Sequence, residues 1–186
     1  MKKICLLSVI ALCGWFCLSA QQQAPFYYYK GEPVTIPVNS QHFLIYADAG
    51  EISIEDLADI YKVTEWIESG ENDIIEVQVI IPNNNYDSVI SFLKTKDYII
   101  DIEPVIGDSV LTNTSRLFYV KLQNVQDYPL LSDLALRTGV EIRGEVSYCE
   151  NWYELSVNKN SVGSSIAAAN IFWETLYFEN IEPGFI

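Results

Sequence analysis

Histidine is almost absent from this chain of 186 residues: there is one, His42. A single imidazole excludes a His-rich metal centre and leaves at most one histidine base. His42 precedes Phe43 at the start of an apolar strand, where it reads as a structural residue. Cysteine is scarce where it would matter. Cys5, Cys13 and Cys17 lie in the first twenty residues, and Cys149 stands alone after them. Without the first three no intramolecular disulfide is possible, so stability must come from a packed core. Cys149 itself reads as a half-buried small residue at a strand end. Gly-x-Ser-x-Gly, His-Glu-x-x-His and a Gly-rich phosphate loop are all missing. Asp48-Ala49-Gly50 reads as a turn, and Glu55-Asp56 and Glu71 with Asp73 as solvated caps and loops. The acids also lack the alternate-residue spacing of a calcium loop. No nucleophile–base pair can be assembled, so a non-enzyme without metal or cofactor is expected. Positive charge is short as well: 11 Lys and Arg against 25 Asp and Glu give a net charge of −14. That argues against nucleic acid and anionic membrane surfaces as partners. The acidity reads as a device for solubility.

What is present begins with a leader. Lys2 and Lys3 precede an apolar run from Ile4 to Phe16, and Leu18-Ser19-Ala20 offers a cleavage site. The run is too short to span a membrane comfortably, so residues 1–20 read as a secretory signal peptide. Cys13 follows Leu12 and Cys17 follows Phe16, and neither neighbour is the small residue that lipid attachment favours. The expected location is secreted or periplasmic, by a bacterial Sec-type signal, with no membrane insertion after cleavage. Cleavage removes two lysines and no acid, taking the net charge from −14 to −16.

Residues 21–110 are expected to form a smaller N-terminal α/β domain of uncertain topology. Phe26-Tyr27-Tyr28-Tyr29, Lys30-Gly31 and Val34-Thr35-Ile36 read as a hairpin turned at Gly31. Phe43 to Tyr46 is the next strand. Ser53-Ile54-Glu55-Asp56 resembles a capping box opening an amphipathic helix through Leu57, Ile60 and Tyr61, in a region ended by Gly70. Ile74 to Ile81 reads as a buried strand closed by Pro82. Asn83-Asn84-Asn85 turns the chain into a helix with Val89, Phe92 and Leu93 on one face. Tyr98 to Val105 is a strand broken by Pro104 and turned by Gly107-Asp108.

Residues 111–186 are clearer. Phe118, Val120 and Leu122 alternate with Tyr119 and Lys121 in a half-buried strand. A helix runs from Asp127 to Thr138, with Pro129 in its first turn and Gly139 as its stop. Val140, Ile142, Val146 and Tyr148 alternate with Glu141, Arg143, Glu145 and Ser147. After a turn at Cys149-Glu150-Asn151, Tyr153, Leu155 and Val157 alternate again. A helical stripe of Val162, Ile166, Ala169 and Trp173 follows, and a last strand starts near Leu176 with a short extended tail. The order is βαββαβ, a ferredoxin-like unit, so the fold class expected is α+β. Its helices should cover one face of a four-stranded sheet. The other face would carry Tyr119, Arg143 and Trp152, either as a contact surface or packed on the N-terminal domain.

The run Trp152-Tyr153-Glu154-Leu155-Ser156-Val157, the helix from Ser161 to Thr175, and then Leu176 to Phe185 resemble the propeptides of secreted subtilisin-like serine proteases. By order of elements the resemblance covers about 116–186. It implies that the open sheet face docks on surface helices of a protease, with the tail in the substrate groove. The implied tail residues are Glu182, Pro183, Gly184, Phe185 and Ile186. The implied docking residues are Tyr119, Arg143, Glu150, Trp152 and Glu154, with Glu150 matching the acid that caps a partner helix N-terminus. No protease domain accompanies the unit in this sequence, so the resemblance implies inhibition or chaperoning of a protease in trans. The other reading is an envelope or surface protein that uses the same fold for interaction, without a protease partner.

Overall fold

The computed structural model describes residues 25–48, 62–69, 74–80, 86–107 and 112–185, with backbone placement alone for 62–69 and 74–80. The first element is the expected hairpin, β1 (Phe26–Tyr29) with β2 (Glu32–Thr35). Lys30 and Gly31 both have positive φ, 51° and 85°. Two left-handed residues in a two-residue loop match the right-handed twist of the flanking strands.

Four strands follow: β3 (Val38–Asp48), β4 (Lys62–Ser69), β5 (Ile74–Ile80) and, after helix α1 (Tyr86–Leu93), β6 (Ile99–Ile106). The later half holds β7 (Thr112–Leu122), α2 (Tyr128–Thr138), β8 (Glu141–Glu145), β9 (Trp152–Ser156), α3 (Ser165–Glu174) and β10 (Phe178–Phe185). The chain is α+β, and every pairing among the described strands is antiparallel.

The strand order contains a repetition that the amino-acid pattern did not disclose. In the later half the neighbours run β10-β7-β9-β8; in the earlier half they run β6-β3-β5-β4. Numbered within each set of four, both orders are fourth, first, third, second. In the later set α2 and α3 form the two crossovers. In the earlier set α1 forms the second crossover, and residues 49–61 of the first lie outside the described residues. The capping box at Ser53 and the turn at Asn83 to Asn85 fall outside them too. Ahead of Gly70 the chain is strand β4.

The two sets join through β6 and β7, at Val105↔Asn113 and Ile106↔Thr112. Their helices cover opposite faces of the joined sheet. Phe43, Ile45, Ala47 and Ile102 pack with Leu93 beneath α1. Leu44, Tyr46, Asp101 and Glu103 occupy the other face of the same strands, since side chains alternate along a strand. Thr114 hydrogen-bonds Glu103 from that second face, and its parity on β7 is that of Phe118, Val120 and Leu122, which lie under α2 and α3.

The larger core is aromatic at its centre. Phe172 of α3 meets Phe118 edge-on at 5.2 Å and stacks on Phe178 of β10 at 5.8 Å. Leu131, Leu134, Ala135 and Thr138 form the expected buried stripe of α2, and Gly139 ends it at φ 69°.

Several boundaries differ from the sequence expectation. Pro104 does not break β6; it sits inside the strand opposite Phe43. α3 begins at Ser165 behind the Ser164 cap, so Val162 lies outside the helix and is exposed. On α1, Phe92 is exposed, with the Lys96 ammonium 4.3 Å from its ring centre. β8 ends at Glu145, and Tyr148 sits in the following turn, fully exposed at φ 63°. Cys149 is exposed in the same turn rather than half-buried. His42 plays a local part: its Nδ1 lies 2.8 Å from Asn39 Oδ1 in the irregular first stretch of β3, where Asn39 Oδ1 also accepts from the Gln41 amide.

Candidate docking surface

The tail expected to hang free is strand. Glu182 pairs with Tyr119, Pro183 with Phe118 and Phe185 with Thr114, so residues up to 185 belong to β10. Ile186 lies outside the described residues. The cause is local. Phe178 and Ile181 are buried in the core, which holds β10 against β7. Gly184 then allows close approach, because a Cβ there would stand 2.7 Å from the Leu117 carbonyl oxygen. The ring of Phe185 is also engaged, edge-on to Tyr27 at 5.4 Å.

Pairing also brings four of the five expected docking residues together, with Glu182 of the expected tail beside them. Glu182 lies opposite Tyr119, Tyr119 opposite Glu154, and Glu154 opposite Gly144 beside Arg143. The second row is Asn180, Lys121 and Trp152. Cross-strand partners point to the same side of a sheet, so these residues share the face turned away from α2 and α3. Tyr119, Lys121, Trp152 and Glu154 are each only partly buried.

The face is tied together by modest contacts. Lys121 Nζ bonds Glu179 Oε1 at 2.6 Å, Asn180 Nδ2 bonds Glu182 Oε1 at 2.9 Å, and Arg143 Nη1 stands 4.0 Å from Glu141 Oε1. Burial, then the neighbouring Glu154 carboxylate, raises the Tyr119 phenol above its ordinary range. A shallow cleft of about 280 Å³ opens between Arg143, Glu145, Ser147 and Glu154. Such a surface offers an aromatic pair among paired charges, which suits contact with a polar protein surface. Glu150 does not join it. It lies in the turn after β8, beside a separate cleft with Gln123, Asn124 and Gln126.

A third cleft, of about 570 Å³, runs between β1 and β10, lined by Tyr27, Tyr29, Lys30, Asn180 and Glu182. The hairpin that forms its outer wall is held by side chains. Tyr28 stacks on Trp173 at 5.7 Å, its hydroxyl donates to Glu174 Oε1 at 3.2 Å, and Asn170 Nδ2 donates to the Phe26 carbonyl at 2.6 Å.

Two polar residues escaped the sequence reading. Asp101 and Glu103 are buried, 1% and 0% exposed, at the join between the two halves. Their signal in the sequence is Ile-Ile-Asp-Ile-Glu-Pro, two acids at strand spacing inside an apolar run. Among the described residues no group of three or more His, Cys, Asp or Glu is placed to hold a metal ion, and no helix is long and apolar enough to cross a membrane.

No family model matches the chain, and no curated protein does. Among solved structures it is similar to the acetolactate synthase small subunit of Thermotoga maritima, at 8% identity and a TM-score of 0.32, over 80% of this chain and 96% of that one. A likeness of that size carries no argument about fold or activity.

Proposed function

We propose that this chain is a secreted, non-catalytic protein-binding module built from two consecutive ferredoxin-like units. It binds through the bare sheet face of the second. The observation behind the reading is that Tyr119, Glu154, Arg143 and Trp152, four of the five expected docking residues, lie on one face that α2 and α3 leave uncovered, with Glu182 of the expected tail beside them. The partner suggested by the propeptide resemblance is a subtilisin-like serine protease, engaged in trans. With Glu182 to Phe185 paired in β10, the docking would be carried by the face, and the tail would reach a substrate groove only by leaving its strand.

The test is residual activity of several secreted subtilisin-like proteases with the mature protein, with the double variant Tyr119→Ala and Trp152→Ala, and with a variant lacking Pro183 to Ile186. Inhibition lost in the face variant supports the reading. Inhibition lost on truncation but kept in the face variant returns the binding role to the tail. No inhibition by any form removes the protease and leaves the second reading, an envelope or surface interaction protein.

A further inference from the structure

Glu103 sits where the two halves meet. Its Oε1 accepts a hydrogen bond from the Ser165 amide at 2.8 Å, and its Oε2 lies 3.2 Å from both the Ser165 and Thr114 hydroxyls. Ser165 is the first residue of α3, and Thr114 belongs to β7. One carboxyl on β6 therefore holds the start of a helix and a strand of the other half. Asp101 stands two residues away on the same strand, on the same face, with its Oδ2 buried and without a hydrogen-bond partner.

We propose that Glu103 is a proton-held latch between the two halves, closed when the Asp101–Glu103 pair shares one proton and loosened when both are ionised. Two buried carboxyls two residues apart on one face of a strand resist holding two negative charges, and the Asp101 charge acts on Glu103. The loop after β9 docks alongside: the Lys159 amide donates to the Ile100 carbonyl at 2.7 Å, and its ammonium donates to the Lys96 carbonyl at 2.7 Å. Among the described residues few other charges act on the pair. Lys94 and Arg116 act favourably on Asp101, and Arg116 lies over the Tyr46 ring, 5.9 Å from its centre. Tyr86 of α1, whose phenol is pushed to about 12 by burial, then by Asp87 and Glu103, stays neutral across the relevant range. The partial positive end of α3 favours an anion at Glu103, but burial opposes it more strongly.

The direction follows from these surroundings. Burial first, and then the Asp101 carboxylate, hold the Glu103 carboxyl well above the ordinary range. Asp101 is raised as well, by burial. The folded chain thus keeps protons that the unfolded chain releases. The stabilisation is fully present below the ordinary carboxylate range and is lost as pH rises through the folded values.

The test is amide hydrogen exchange of the mature protein, corrected for intrinsic rates, at Ser165 and, as a reference, at Val120 in the larger core. From about pH 5 to about pH 9 the protection at Ser165 relative to Val120 should fall roughly tenfold or more. Glu103→Gln keeps an acceptor for the Ser165 amide but cannot ionise, so its ratio should stay within about twofold. Asp101→Asn removes the opposing charge and should flatten the profile in the same sense, which keeps the test available if one variant folds poorly. A flat ratio in the parent protein, or a fall of equal size in both variants, overturns the latch.

Discussion

Replacing Gly184 with alanine separates a strand, where it should cost stability, from a free tail, where it should cost nothing. The backbone at Gly184 is not in the left-handed region, so alanine meets no conformational penalty there. What it meets is atoms. Its Cβ would stand 2.7 Å from the Leu117 carbonyl oxygen, 3.0 Å from Ser115 Cβ and 3.4 Å from the Leu117 carbonyl carbon. The first of these is backbone of β7, a strand paired on both sides, and it cannot yield without disturbing the register. Overpacking of this kind costs about 1–3 kcal/mol. Against it, alanine restricts the unfolded chain and contributes about 0.4–1 kcal/mol of stability. The net expectation is a loss on the order of 1–2 kcal/mol. For a chain of this size that lowers Tm by roughly 2–8 °C. Urea unfolding monitored by tryptophan fluorescence, with the m-value unchanged, reads it directly. In a free tail the steric cost vanishes, and since such a tail is as mobile in the folded as in the unfolded chain, alanine should leave stability unchanged. A variant as stable as the parent, or more stable, would refute the reasoning.

Two further outcomes follow from the packing. Phe172→Ala empties the centre shared by α3, β7 and β10, where Phe172 meets Phe118 and Phe178; it should lower stability by about 3–5 kcal/mol in denaturant melts. Phe92→Ala on the exposed side of α1 serves as its control and should change little. Trp173→Ala removes the ring on which Tyr28 stacks, a contact worth ~0.5–1.5 kcal/mol, so trypsin should cut after Lys30 roughly threefold to tenfold faster than in the parent.

The later half was legible because each of its signals is local. The alternation through Phe118, Val120 and Leu122, the stripe from Leu131 to Thr138 and the stop at Gly139 each report on neighbours a few residues away. The shared face of Tyr119 and Glu154 was legible for the same reason: strand parity alone puts them away from Phe118 and Leu155. The limits lay in long-range pairing. Leu176 to Phe185, which carries a proline and a glycine, reads as a strand with a short extended tail. β7 nevertheless supplies partners for those residues, and the strand continues through both. Pro104 misled in the same way within β6. The matching strand order of the earlier half depends on crossovers, which leave no periodic trace in a single sequence. Tyr148 and Cys149 were misplaced because alternation carried the strand past the point where positive φ at Tyr148 turns the chain.

Asn180 to Phe185 form an integral strand, which leaves the sheet face as the candidate surface. Amide hydrogen exchange of these residues, compared with Phe118 to Lys121 on β7, tests that most directly. The amides of β10 that face β7 should be protected to within about tenfold of their partners, since both belong to one hydrogen-bonded ladder. Exchange at the rate of an unstructured peptide through Glu182, Gly184 and Phe185 would contradict it.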